Sequence, residues 1–379
     1  MNAGAPPAQR NSLGRSLGLG EKLFATPTER RFVAAVDDGL ELVEEGLLRE
    51  IAFADDIADA TTRYLLAAGG KRVRPTLTLL IAQLGDGATP GIVASAQATE
   101  ITHLASLYHD DVMDEAQMRR GVPSAQTVWG NNVAILAGDL LFARASTIVS
   151  GLGQEAILLQ AETFERLCLG QLHETVGPRD GDDPIVHYLD VLADKTGSLI
   201  STAARAGVMF SGAPREYLAP VAEFGEKIGI AFQLIDDVID LSDQPAETGK
   251  KAGTDLRAGV VTLPVLYLRE LARTDLEASS LLNEIDRIVD ATRAAAQRSD
   301  REPTADGVPA ADLAHETSHL DADFADLVRR VREHDVTERT RVEAHRWARE
   351  ALEALSPLPD GPVKKALTRF ADRVVERSA

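Results

Sequence analysis

A single cysteine, Cys168, in 379 residues leaves no partner for an intramolecular disulfide. It sits in the apolar run 164–169, where a free thiol is expected to pack as a small buried hydrophobe. Aromatic residues are only 4% of the chain. Packing therefore falls to alanine, leucine and branched aliphatic side chains, which favours helices. No apolar stretch reaches the ~20 residues that span a bilayer, and the first residues lack the apolar core of a secretory signal. Basic residues are the minority, 40 Lys+Arg against 59 Asp+Glu, for a formal net charge of -19. So acidic a chain is a poor partner for nucleic-acid phosphates. The expectation is a cytoplasmic protein with no transmembrane segment.

What is present is helical periodicity. Residues 1–27 are rich in Gly, Ala, Pro, Ser and Arg without a period and read as a flexible tail. From about 29 to 53, Phe32, Val36, Leu40, Val43 and Leu47 recur every three or four residues, the period of an amphipathic helix. A shorter helix is expected to end at Gly69-Gly70, another to start at Pro75, and a long one to run from Pro90 to Asp114. Further helical patterns cover 130–150, 154–176, 184–211, 216–242 and 261–293, with one ending near Ala354 and one over 363–376. Period-two alternation is nearly absent, so the fold class is all-α, a large single-domain helical bundle over 28–379. The segments near 91–114 and 216–242 are apolar almost all round and belong at its centre. Residues 294–320 are polar, acidic and hold two prolines, and read as a flexible insertion.

Two segments share the form Asp-Asp-x-x-Asp: Asp110, Asp111 and Asp114, and Asp236, Asp237 and Asp240. On a helix, residues four apart project together, ~6 Å apart along the axis. Like charges so placed repel, and both sets follow apolar runs, so each needs a compensating cation. Clustered hard oxygens suit Mg²⁺, which accepts one or two carboxylates and completes its shell with water and substrate phosphate. A single cluster reads equally well as a solvated helix end, whereas two on apolar helices do not. Three basic sets sit beside them: Lys71, Arg72 and Arg74, then Arg119 and Arg120, then Lys250 and Lys251. Arginine grips phosphate oxygens in pairs, and lysine acts as a point charge.

These residues resemble the trans-isoprenyl (polyprenyl) diphosphate synthase family, specifically its long-chain branch. The matching pieces stand in the family's order: GGKRVRP at 69–75, HLASLYHDDVMDEAQMRRG at 103–121, GDLLFA at 138–143, KTGSL at 195–199, GIAFQLIDDVID at 229–240 and GKKAGTD at 249–255. The resemblance covers about residue 30 to 379 and implies the isoprenoid synthase fold with a central active-site cavity. It implies that Lys71, Arg74, His103 and Arg120 bind isopentenyl diphosphate. Asp110, Asp114 and Asp236 would be the principal Mg²⁺ ligands, three ions per site, with Asp111, Asp237 and Asp240 ligating or just behind. Arg119, Lys195, Thr196, Gln233 and Lys250 would contact the allylic diphosphate, and a homodimer is expected. By composition alone, His103 reads as a core histidine and Lys195-Thr196 as a polar break. The chain departs from the family at Val260, where a lysine is usual, and at Gly170-Gln171, where the usual residue after the glycine is glutamate.

The resemblance also places a product channel upstream of Asp110. Ala105, Ser106 and Thr102 line it, and none is bulky. The expected product is therefore long, about 30 to 50 carbons, because an unblocked channel extends with every further turn of the helix. Phe142 or Phe164 could instead cap the channel, giving a shorter product of about 15 to 25 carbons. Two other readings are weaker. A class I terpene cyclase would lack the second cluster, and a non-catalytic subunit of a heteromeric synthase would lose both.

Overall fold

The computed structural model describes residues 26–242, 252–299 and 310–377. Apart from a two-residue hairpin, β1 (Met118–Arg119) against β2 (Val122–Pro123), every regular element among these residues is a helix. The elements are α1 (Pro27–Glu50), α2 (Asp56–Ala67), α3 (Val73–Ala82), α4 (Pro90–Met113), α5 (Ala125–Trp129), α6 (Asn131–Ser150), α7 (Gln154–Val176), α8 (Pro184–Leu192), α9 (Ser198–Met209), α10 (Leu218–Asp240), α11 (Thr254–Ala258), α12 (Leu263–Leu271), α13 (Leu276–Ser299), α14 (Ala310–Glu333), α15 (Asp335–Ala354) and α16 (Pro362–Glu376). They divide into two compact units, residues 26–172, 193–229 and 349–373 in the first, and 173–192, 230–348 and 374–377 in the second.

In the first unit, α1 starts with a capping box. The Thr26 hydroxyl accepts the Glu29 N–H, and the Glu29 carboxylate accepts the Thr26 N–H. The centre of this unit is α4, capped by Thr89 and opened by Pro90. It packs against α1, α3, α6 and α9. Ile92, Ile101, Leu104 and Tyr108 on it are essentially solvent-free, each contributing roughly 1.5–3 kcal/mol of hydrophobic burial. The α4–α6 approach depends on Gly138: a Cβ there would lie 2.3 Å from His109 Nε2 and 3.3 Å from the Ala105 carbonyl oxygen. That explains the glycine of the GDLLFA run. In the second unit, α12 packs against α8 and α13, and α13 against α11 and α14.

Four sequence expectations change. The run 184–211 is α8, a π-helical turn at Ala193–Gly197 and then α9. The run 261–293 is two helices, the second started by Asp275, whose carboxylate accepts the Ala278 N–H. Within 294–320, residues 294–299 and 310–320 are helical, since both stretches are alanine-rich and proline-free. Pro303 and Pro309 fall in 300–309, outside the described residues. Cys168 is exposed rather than buried, because α7 turns it outward with Phe164, Leu169 and Leu172. One helix, α6, is long and apolar enough by length and composition to cross a bilayer, with mean hydropathy 1.6, and a third of it is buried.

Candidate functional site

The first unit gathers an arginine cluster. Gly69 and Gly70 end the loop after α2 with φ of 100° and 156°. A Cβ at Gly70 would sit 2.4 Å from Arg72 Nη1 and 3.2 Å from the Arg120 guanidinium, so the backbone runs close under two cations. Arg72 and Arg120 both hold left-handed φ, 48° and 53°, strain that folds keep where surrounding contacts over-determine it. Arg72 is buried and paired with Glu44 at 2.5 Å and Glu100 at 3.3 Å. Arg120 donates to the carbonyls of Leu65 (2.7 Å) and Gly69, closing the C-terminal end of α2. Arg74 Nε and Glu100 Oε2 are buried and have no hydrogen-bond partner among the described residues. Burial pulls the Arg74 guanidinium down to about 10, Glu100 acting upward and Arg120 downward. His103 is held well below its ordinary value by burial, then by Arg74, Arg120, Arg119 and Arg72. The imidazole is therefore neutral at pH 7 and can hydrogen-bond without adding charge. A cluster of four arginines that includes a buried, unpartnered Arg74 Nε has the character of an anion site.

Beside it lies the first acidic set. Helix α4 ends at Met113, with Asp114 as its exposed C-cap. Asp110 is half-buried and Asp111 fully buried. Arg119 Nε reaches Asp111 at 2.6 Å, so Asp111 shapes the hairpin that carries Arg119 and Arg120. Asp110 and Asp114 remain at a helix C-terminus, where the macrodipole is negative and a carboxylate is disfavoured. A cation bound there would offset that charge.

The same unit positions Lys195 and Thr196 on the π turn Ala193–Gly197. Such turns cost regularity and often mark functional positions. Two residues hold this one. Gly170 on α7 lets its backbone approach, since a Cβ would lie 2.6 Å from Lys195 N and 3.1 Å from Asp194 C. Arg166 binds Asp194 at 2.6 Å and Glu226 at 2.8 Å, and donates to the Ala193 carbonyl at 3.3 Å. Sequence reasoning missed Arg166, and it left open the role of Gly170, which is this close approach.

The second acidic set closes α10, in the second unit. Asp236 is partly exposed and paired with Arg377 at 3.1 Å, whose guanidinium also covers the Phe232 ring. Asp237 is buried and accepts the Tyr188 hydroxyl at 2.6 Å. Burial, Asp255 and Asp236 push its carboxyl well above the usual range, against hydrogen bonds from Tyr188 and Gln233. Asp240 accepts the N–H groups of Thr254 (3.1 Å) and Asp255 (3.0 Å), so it caps α11 and fixes the turn after residue 251. Tyr188 and Arg377 carried no sequence signal, because their partners lie 49 and 141 residues away along the chain.

The structure thus brings together Arg74, His103, Arg119 and Arg120 near Asp111, with Lys71 exposed at the loop edge. Separately it brings together Gln233, Asp236, Asp237 and Asp240. Lys250 lies outside the described residues, and the Val260 side chain is exposed. Of the channel positions, Ala105 and Thr102 are fully buried and Ser106 is half-buried. Among the described residues no three His, Cys, Asp or Glu side chains converge to hold a metal unaided. Mg²⁺ fits these clusters all the same, since it takes one or two carboxylates and completes its shell with water and phosphate.

The polyprenyl synthetase family model matches residues 55–297. Nonaprenyl diphosphate synthase of Mycobacterium tuberculosis is 41% identical over 348 residues, 91% of this chain and 94% of its own. A decaprenyl diphosphate synthase from Rhodobacter capsulatus shares the fold at TM-score 0.73 and 31% identity, over 93% of this chain and 99% of its own. A geranylgeranyl pyrophosphate synthase from Corynebacterium glutamicum, solved with calcium and isoprenyl diphosphate, has TM-score 0.71 and 37% identity, over 93% and 98%.

Proposed function

The chain belongs to the polyprenyl synthetase family of prenyl-transferring enzymes, and from that premise we propose that it condenses isopentenyl diphosphate with an allylic diphosphate to make a long all-trans polyprenyl diphosphate. The observation that carries this reading is the pairing of two kinds of site in one chain. One is an arginine cluster with a buried unpartnered Arg74 Nε, and the other is carboxylates at the C-terminal ends of α4 and α10. The first suits a diphosphate directly, and the second suits it through cations.

In this reading Asp110, Asp114 and Asp236 hold Mg²⁺, three ions per site, and Asp111, Asp237 and Asp240 keep the neighbouring segments in place. The bound Mg²⁺ supplies positive charge to the oxygens of the departing diphosphate. Lys195, Thr196, Arg119, Gln233 and Lys250 hold that diphosphate as its C–O bond ionises. Arg74, Lys71 and Arg120 hold isopentenyl diphosphate, with neutral His103 as a hydrogen-bonding partner. The isopentenyl double bond attacks the allylic cation, and a proton is then lost to the released diphosphate. No side-chain nucleophile is required, because electrostatic stabilisation of the leaving group is the main contribution. The small residues Ala105, Ser106 and Thr102 support a long product, and the curated relative named for a nonaprenyl product supports the same.

A second copy of this chain is the proposed partner. The outward faces of α6 and α7 expose Ile135, Leu136, Ile157, Phe164 and Leu172, joined by the Phe142–Phe164 ring contact at 4.6 Å. Exposed apolar side chains on two neighbouring helices suit a self-complementary dimer. The test of the enzyme reading is chromatography of products formed by the purified chain from labelled isopentenyl diphosphate, allylic primers and Mg²⁺. Labelled polyprenyl diphosphates longer than the primer are expected. Absence of any elongated product overturns the reading.

A further inference from the structure

Glu100 is a buried carboxylate in a cluster whose ligand would itself be an anion. It stands midway along α4 and is 4% exposed. Its Oε1 accepts from Arg72 Nη1 at 3.3 Å, and its Oε2 has no hydrogen-bond partner among the described residues. Arg74 Nε, the buried donor left over in the same cluster, does not meet it. An acceptor buried in this way costs stability unless its charge is needed. The start of α3 brings Arg72 and Arg74 to the cluster, and the turn of the hairpin brings Arg120. Burial pulls all three guanidiniums down, and Glu100 leads the charges that act upward on each. The arginines oppose one another: Arg120 acts downward on Arg74, and Arg72 and Arg119 act downward on Arg120. Glu44 also pairs with Arg72, but its side chain is 32% exposed and its charge is partly screened by water.

We propose that Glu100 is a positioning residue, the resident counter-anion of the arginine cluster, which keeps the empty site assembled and lowers its affinity for the diphosphate that takes over that role. This rests on the reading that the cluster holds isopentenyl diphosphate. Without a ligand, three buried guanidiniums repel one another, and the Glu100 charge offsets that repulsion. Because Glu100 does not bond Arg74 Nε, it steadies the cluster through its field and leaves that donor to the ligand. A bound diphosphate faces the same arginines and is repelled by the same carboxylate. Weaker binding suits repeated elongation. The lengthened product still carries the diphosphate that arrived with the isopentenyl unit, and it must leave the cluster before the next unit enters. Tighter uniform binding would lower KM without raising kcat.

Glu100→Gln keeps the shape and an acceptor for Arg72 and removes the charge. Calorimetric titration with isopentenyl diphosphate, in chelator and without Mg²⁺, reads the cluster without help from the carboxylate clusters. The dissociation constant should fall about tenfold or more. The melting temperature without ligand should also fall, and the gap to the unmodified protein should narrow at saturating isopentenyl diphosphate. In turnover with Mg²⁺, KM for isopentenyl diphosphate should fall while kcat does not rise. Glu100→Asp keeps the charge and should bind within about threefold of the unmodified protein. Glu44→Gln should lower the melting temperature without tightening binding. A residue that only propped the fold would weaken binding as it lowered the melt. Unchanged or weaker binding in Glu100→Gln, equal tightening in Glu44→Gln or Glu100→Asp, or a Glu100→Gln protein that fails to fold and is not restored by isopentenyl diphosphate overturns the proposal. Absence of binding to the unmodified protein overturns the assignment of the cluster to isopentenyl diphosphate, and the proposal with it.

Discussion

Gly170→Ala separates stability from catalysis. The added Cβ would stand 2.6 Å from Lys195 N, against backbone rather than a mobile side-chain tip. Ordinary contact begins near 3.4 Å, so α7 and the π turn must part by about 0.8 Å. Overpacking of this kind costs about 1–3 kcal/mol. Replacing a mid-helix glycine by alanine returns roughly 1 kcal/mol. The net loss of stability is therefore small, about 0–2 kcal/mol, from the difference of those two effects. The catalytic cost is larger, because misplacing a substrate-holding group by about 1 Å can lower turnover about 100-fold, and the π turn carries Lys195 and Thr196. Urea unfolding and steady-state kinetics with labelled isopentenyl diphosphate measure the two quantities. The expected result is a near-native midpoint with kcat down at least about tenfold. Native kcat together with native stability would refute the claim that the Gly170 contact places Lys195.

Asp114→Asn should raise stability slightly, by about 0.3–1 kcal/mol, because it removes a negative charge from a helix C-terminus. Turnover should fall at least about 100-fold, and a stability loss with preserved turnover would contradict the cation role. His103 is held below its ordinary value, so the stability it contributes is present above the unfolded value near 6.5 and is lost as pH falls. His103→Asn should therefore shrink the drop in Tm between about pH 7.5 and about pH 5.5, and an equal drop in both proteins would show that His103 titrates normally. Tyr188→Phe removes the hydroxyl from buried Asp237, which should cost about 1–3 kcal/mol and raise the Mg²⁺ concentration needed for half-maximal activity. An unchanged melt and an unchanged Mg²⁺ requirement would make that hydrogen bond irrelevant.

Helix existence was legible from the spacing of apolar residues. The Phe32–Leu47 stripe and the apolar 91–114 segment matched α1 and α4 to within about three residues at each end. Helix interruptions were not legible. The π turn at 193–197 follows from the Arg166 ion pairs and the Gly170 approach, which are tertiary. The helices reaching into 294–320 follow from alanine propensity outweighing polarity. The acidic and basic motifs were readable because each is local in sequence. Their supports were not: Tyr188 and Arg377 reach the second cluster from distant segments. Burial of Ala105 and Thr102 depends on how α7 and α9 pack beside α4, which no local pattern encodes. Outward-facing Cys168 reflects the apolar face shared by α6 and α7.

The proposed function rests on Asp110 and Asp236 both being needed for Mg²⁺-dependent binding of a diphosphate. Calorimetric titration of inorganic pyrophosphate with Mg²⁺ into the unmodified protein, Asp110→Asn, Asp236→Asn and the double variant tests it directly. The account predicts Mg²⁺-dependent binding that weakens at least about tenfold in each single variant, and a double variant no weaker than the worse single. Additive losses, or full affinity in either single variant, would contradict it.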